Sequence, residues 1–375
     1  MTPEFLGLSL FSGAGGMDLG IKQAGFRILG QIEKDPHCCE TLRASAGKEN
    51  QGPIIIEKDI REIDPEILRK DLSLEKGDLS LLFGGPPCQA FSQIGKRKSL
   101  SDSRGMLLFE MIRFAEAFEP KAIMIEQVKG ILNSHGNGTV GAFQLLLDKL
   151  EAIGYVPKWS IIRAADYGVP QLRERVFIVA TKKPNGFYFP NPTHEDKSKS
   201  RLSFFSMLSY KTVGDALSGL SEPSRPNGAI PEDSHVDITP EGDRRRICGV
   251  REGFHLSGEL HLPREQIKKL TRKDTTKFRR LDRNSPSLTL RCGEIFFHPV
   301  EDRYLTPREY MRLHGYPDDY FLKGPIRGRS GQARNLDQHR QVANSVPPPV
   351  AEAIGREIRR VVECLQSSKF SVIQQ

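Results

Sequence analysis

Leu79-Ser80-Leu81-Leu82-Phe83-Gly84-Gly85-Pro86-Pro87-Cys88-Gln89 joins a largely apolar run to a stiff turn that carries a thiol. The run reads as a buried strand. The two glycines let backbone approach a ligand closely, and the two prolines fix φ and remove two N–H donors. The thiol therefore sits at the carboxyl end of a strand, where open α/β sheets bind their ligands. Two readings of Cys88 stand at this point: a small buried hydrophobe in a tight turn, or a nucleophile.

Upstream, Leu6–Leu10 reads as a first strand. It runs through Phe11-Ser12-Gly13-Ala14-Gly15-Gly16 into a helical pattern that closes at Gly25. Such a loop turns backbone N–H groups and a helix N-terminus toward an anionic or polar ligand. A second strand, Arg27–Ile32, ends in Glu33, the position at which a ribose is gripped through its hydroxyls. A third, Ile54–Ile56, exits toward Asp59 and Ile60. No Walker-type Lys follows the glycine loop, which argues against a triphosphate. A nicotinamide dehydrogenase would account for the loop and for Glu33, but it gives Pro87-Cys88 no role.

Downstream, a basic loop from Gln93 to Arg104 reads as a lid, followed by a helical pattern through Leu107, Leu108, Met111 and Ala115. Ala122–Ile125 is a further buried strand, with Glu126 at its end. A carboxyl group beside a thiol suits hydrogen bonding or proton donation to a ring nitrogen. A helix (Ala142–Ile153) and two more strands (Val156–Ile162, Val176–Thr181) complete a βα alternation, hence a mainly parallel sheet with helices on both faces. Between those strands, in Gln171-Leu172-Arg173-Glu174-Arg175, two arginines at i and i+2 of an extended segment point the same way.

From about Lys182 the texture changes to a polar, proline-punctuated region, dense in Lys and Arg between Arg264 and Arg283, with a short strand-like piece at Ser285–Leu290. It reads as a second, smaller domain. Leu305–Glu309 starts a helix, and Val350, Ile354, Ile358, Val362 and Leu365 mark one face of a last one.

The chain has 375 residues and a net charge of +8, an excess that favours a polyanionic partner. Cys38, Cys39, Cys88, Cys248, Cys292 and Cys364 form no Cys-x-x-Cys pair, so neither a disulfide framework nor a metal site is expected. A reducing cytoplasm fits this usage. The apolar N-terminus reads as a strand rather than a signal peptide, and no apolar run is long enough to cross a membrane.

Taken in order, these motifs resemble the DNA cytosine-5 methyltransferase family over almost the whole chain. Phe11–Gly16 is similar to its cofactor loop, Gly84–Gln89 to its Pro-Cys motif and Glu126-Gln127-Val128 to its Glu-Asn-Val motif. Gln171-x-Arg173-x-Arg175 is similar to its Gln-x-Arg-x-Arg motif, and Asn344-Ser345-Val346 to its closing motif. Two departures stand out: Gln127 in place of Asn, and Ala343 where Gly is frequent.

The resemblance implies a Rossmann-like α/β methyltransferase domain (1–186 plus 335–375) with a loop-rich target-recognition domain (187–334). It implies S-adenosyl-L-methionine as cofactor, S-adenosyl-L-homocysteine as product, and duplex DNA as partner. It further implies a monomeric prokaryotic enzyme paired with a cognate restriction endonuclease. Cys88 would attack C6 of a flipped cytosine, Glu126 would hold N3 and the exocyclic amine, Arg175 would hold O2, and Arg173 would order the pocket. Phe11 would meet the adenine, and the backbone of Gly13, Gly15 and Gly16 the methionine part. Glu33 would take the ribose and Asp59 with Ile60 the adenine, while Asn344 and Ser345 would close the site. A tRNA cytosine-5 methyltransferase and a non-catalytic DNA-binding relative are the alternatives.

Overall fold

Seven strands make one sheet. They are β1 (Leu6–Leu10), β2 (Arg27–Glu33), β3 (Ile54–Glu57), β4 (Leu81–Gly84), β5 (Ala122–Gln127), β6 (Tyr155–Arg163) and β7 (Glu174–Lys182), in the order β3-β2-β1-β4-β5-β7-β6. The computed structural model describes residues 4–47, 52–87, 107–133, 141–182, 186–197, 207–225, 231–267, 270–271, 275, 277–326 and 335–372. Cys88 and the loop Gln93–Arg104 lie outside these residues.

The first five strands are parallel, and β7 runs antiparallel to both β5 and β6. Parallel neighbours need crossovers. Helices α1 (Gly16–Gln23), α2 (Pro36–Ala46), α3 (Pro65–Asp71) and α4 (Leu107–Phe118) supply them, and α5 (Ala142–Ala152) precedes β6. Helices α2 and α3 go beyond the sequence reading. Each begins with Asp-Pro: the Asp35 and Asp64 carboxylates accept the first free N–H groups, and the proline occupies the first turn.

Strand order runs outward in both directions from the β1–β4 pair, which makes that pair the switch point where a crevice opens. Leu10 and Gly84 are in register there. A Cβ on Gly84 would stand 2.4 Å from the Leu10 carbonyl oxygen, so only glycine lets the two ends meet. Below the edge, Leu8, Leu10, Leu82, Ile123 and Ile178 pack with Met111, Phe114 and Phe118 of α4, all fully buried. Each such side chain contributes about 1.5–3 kcal/mol.

The contacts divide the chain into two units: Met1–Arg163, Glu174–Asn191 and Val350–Gln375 form the first, and Ala164–Arg173 with Pro192–Pro349 the second. Among the described residues the second has one two-stranded ladder, β8 (His194–Glu195) with β9 (Leu208–Ser209). Its helices are short: α6 (Val213–Leu217), α7 (Glu241–Ile247), α8 (Arg264–Ile267), α9 (Pro307–Leu313) and α10 (Gln338–Asn344). Helix α9 starts where expected, with Pro307 in its first turn and Thr306 and Glu309 in a reciprocal cap. The segment Ser285–Leu290 contributes only an isolated bridge, Ser287 with Gln171. Pro286 has no N–H to give a ladder, and the Leu290 N–H goes to the Gln171 side chain. Helix α11 (Pro348–Val372) returns the chain to the first unit. There Ile354, Ile358 and Val362 are fully buried, and Arg359 lies over the Phe5 ring at 4.9 Å.

Candidate active site

The ends of β1, β2, β4 and β5 place four polar features on one edge of the first unit. After β1 the backbone turns through positive φ at Phe11, Gly13 and Gly15, and α1 starts with no side-chain cap on its N-terminus. Among the described residues, its two chain neighbours aside, no heavy atom lies within 4 Å of where a Cβ of Gly13 would stand, so they leave open space above the loop. Glu33, at the end of β2, braces the loop. Its Oε2 accepts the Gly13 N–H at 2.9 Å, and its Oε1 accepts those of Lys34 and Asp35 at 2.8 Å each. Burial pushes the Glu33 carboxyl above its ordinary value, against the pull of those three donors.

Lys58 donates its N–H to the Glu33 carbonyl, which brings the next segment alongside. Asp59 caps a 3₁₀ turn over Ile60–Glu62, and the Arg61 guanidinium grips its carboxylate at 2.9 and 2.7 Å. That grip holds the Asp59 pKa down at about 2. From α4, Arg113 reaches across to the same turn and donates to the carbonyls of Ile60 (2.8 Å) and Ile63 (2.7 Å). Beneath the glycine loop, Ser12 bonds Ser9 at 2.8 Å, while the buried Asp18 accepts from Gln31 at 2.7 Å and is also bonded to Ser9. Burial raises the Asp18 pKa to about 6. Sequence reading passed over Asp18, Gln31 and Arg113. The one available signal was an acid two residues after a Gly-Gly pair.

The open cradle over Gly13, the braced Glu33 and the buried Ile60 fit a nucleoside with a charged tail. Helix α1 adds the positive end of its dipole to the same loop.

At the neighbouring strand ends, Glu126 and Gln127 close β5. The Arg175 Nε lies 3.0 Å from Glu126 Oε1, and Arg175 also donates to the Glu174 carbonyl at 2.8 Å. The pairing follows from strand direction: β7 is antiparallel, so its first residues lie beside the last residues of β5, with Glu126 opposite Phe177 and Gln127 opposite Val176. Glu126 Oε2 stands 3.4 Å from where a Cβ of Gly85 would be, so the carboxylate rests against the Gly85–Pro86 turn. Gln127 Nε2 donates to the Pro86 carbonyl at 2.8 Å.

The two arginines of the Gln-x-Arg-x-Arg run have different partners. Arg173 is buried in the second unit and donates to the Ala343 carbonyl at 2.9 Å. Gln171 donates to the Leu313 carbonyl and meets His314 Nδ1 at 3.0 Å, and His314 Nε2 meets the Ser345 carbonyl at 2.9 Å. Asn344, the last residue of α10, accepts from the Cys292 thiol at 2.8 Å. Arg173 thus clamps the Ala343–Ser345 segment directly, and Gln171 does so through a buried histidine that no sequence motif flags. Among the described residues there is no cluster of three metal-ligating side chains, and no helix long and apolar enough to cross a membrane.

Comparison with known proteins supplies the rest. A family model described as C-5 cytosine-specific DNA methylase matches residues 5–360. The Type II methyltransferase M.PspPI of Psychrobacter sp. is 33% identical over 97% of this chain and 81% of its own length. The Type II methyltransferase M.AquIA of Picosynechococcus sp. is 39% identical over 60% of this chain and 91% of its own. A prophage-encoded E. coli chain described as a DNA modification methyltransferase superposes with a TM-score of 0.68 at 22% identity, covering 96% of this chain and all of that one. With its seven-stranded mixed sheet and a match spanning nearly its whole length, the chain belongs to the family of C-5 cytosine-specific DNA methylases.

Proposed function

We propose that this enzyme methylates C5 of cytosine within a specific sequence of duplex DNA, through an adduct between the Cys88 sulfur and C6 of a flipped base. The observation that carries the reading is Glu126: Arg175 holds its carboxylate against the turn that leads to Cys88. Cytosine C5 is a poor nucleophile. Addition of a thiolate at C6 turns the ring into an enamine with electron density at C5. A free thiol, pKa about 8.5, is only a few per cent ionised at neutral pH, so the site has to favour the thiolate. Glu126 bonds N3 and the exocyclic amine as the adduct forms. Arg175 orients Glu126 and holds the base O2. A base then takes the C5 proton, and elimination of Cys88 restores the aromatic ring. Reaching the base at all costs about a few kcal/mol of unstacking and unpairing.

Phe11, Gly13, Gly15, Gly16, Glu33, Asp59 and Ile60, with Asn344 and Ser345, would hold S-adenosyl-L-methionine, which would supply an electrophilic methyl group. Residues 187–334 read the target sequence. The relatives' Type II names support a role in a restriction–modification pair, in the cytoplasm of a prokaryote, with an endonuclease that cuts the same site unmethylated.

Labelled methyl transfer to duplex DNA and, in parallel, to tRNA, followed by nucleoside analysis, tests the reading. 5-Methylcytosine in DNA is expected. Label confined to tRNA would overturn the DNA assignment, and cofactor binding without transfer to either would favour the non-catalytic alternative.

A further inference from the structure

We propose that Gln127 is a positioning residue, which sets the turn leading to Cys88 against the carboxylate of Glu126. The proposal rests on the reading of Cys88 as nucleophile. Two neighbouring residues of β5 face two neighbouring residues of the turn: Glu126 Oε2 stands 3.4 Å from where a Cβ of Gly85 would be, and Gln127 Nε2 donates to the Pro86 carbonyl at 2.8 Å. The contact joins residues 41 apart in sequence, and Gln127 is only 2% exposed. Pro86 and Pro87 have no N–H, so this turn has few backbone hydrogen bonds of its own to fix its height. The Pro86 carbonyl is the handle that remains.

The other half of the same amide argues for placement over packing. Gln127 Oε1 is buried and has no hydrogen-bond partner among the described residues. A buried acceptor left in this state costs stability, and an apolar side chain of the same length would avoid that cost. An amide at this position is therefore best explained by what its donor holds. Antiparallel pairing with Val176 pins the backbone of Gln127, so the side chain works from a fixed base. Glu126 is independently fixed by Arg175, so the Gln127–Pro86 bond sets the turn against a carboxylate that is already held.

The test compares Gln127→Met, which keeps length and loses the amide, with Gln127→Asn, which keeps the amide and loses one methylene. Each is measured for kcat, for KM of DNA, for the dissociation constant of S-adenosyl-L-homocysteine, and for the single-turnover rate of covalent capture by 5-fluorocytosine DNA. The Met variant is expected to lose about 100-fold in kcat and in capture rate alike, within the range for misplaced catalytic groups. Its KM and cofactor affinity should stay within about twofold, and Asn should recover at least about tenfold of the lost rate. A Met variant that turns over within about threefold of the parent overturns the proposal. So does one whose cofactor affinity falls in step with kcat, or an Asn variant no faster than Met. Cys88→Ser is run alongside: if it still methylates DNA, the covalent reading itself has failed, whatever Gln127 does.

Discussion

The two units of this protein keep their chains in place by different means. In the first, backbone ladders do the work: four parallel and two antiparallel strand pairs, closed over side chains that are almost all apolar. In the second, charged side chains replace the ladders. Arg280, 4% exposed, donates to the carbonyls of Ile247, Val250, His298 and Glu301 and pairs with Asp302. Arg303 forms a two-point bridge with the buried Glu309 at 2.8 Å for each bond. Arg308 bonds the carbonyls of Asp233 and Tyr320. One guanidinium fork satisfies several carbonyls of irregular loops at once. A frame of this kind lets loop sequence vary freely between its anchors, whereas the sheet fixes strand ends to within a residue. The proposed function places chemistry with the second property and target choice with the first.

The hardest blow to this contrast falls on the sheet unit. Cys88→Ala is expected to reduce methyl transfer by at least about a thousandfold while S-adenosyl-L-homocysteine binding changes little. Turnover near that of the parent would remove the covalent mechanism. Replacing residues 187–285 with those of a relative is expected to move the methylated sequence and leave a working catalyst. Bisulfite sequencing of methylated plasmid reads the outcome, and an unchanged site would locate recognition elsewhere.

Arg280→Met addresses the frame of the second unit directly. It abandons the Ile247, Val250, His298 and Glu301 carbonyls and leaves the half-exposed Asp302 to water, at a cost of about 1–3 kcal/mol for the acceptors left unpaired. Denaturant titration measures the loss, and a change below about 1 kcal/mol would show that the loops hold without it.

The smallest effect concerns Asp18, buried under the sheet's glycine loop. The folded pKa of Asp18, about 6, lies above the ordinary carboxylate value, so the folded state holds the extra proton. Its stabilising contribution is complete below about pH 4 and is lost by about pH 6, some 2–3 kcal/mol at most. Asp18→Asn should therefore flatten the stability profile between pH 4 and 7 relative to the parent. Denaturation midpoints at pH 4.5 and 7 check this, and parallel profiles would refute it.

The same contrast explains what sequence disclosed. Strands of the first unit announce themselves as apolar runs, and Glu33 and Glu126 sit where those runs stop. The turn at Gly84 is legible because its glycine answers a contact with Leu10 that any parallel pairing of β1 and β4 would create. Arg113 is silent in sequence because the carbonyls it holds lie 50 and 53 residues upstream. His314 is silent for the same reason, with partners 143 residues before and 31 after it. The Ser285–Leu290 piece misled because alternation signals a strand, while a proline and a side-chain acceptor decide whether a ladder forms. Local pattern reports elements that bond to themselves or their neighbours. It cannot report a frame made of long side chains.

Helix α11 closes the first unit from the far end of the chain, with Arg359 against Phe5. On the ribosome this ordering acts as a timer. At the usual 5–20 residues per second, the stretch from Asn191 to Val350 takes on the order of ten seconds to synthesise, and until it has emerged the first unit lacks its last helix. The nascent protein thus stays without a finished first unit until the whole of the second has already been made.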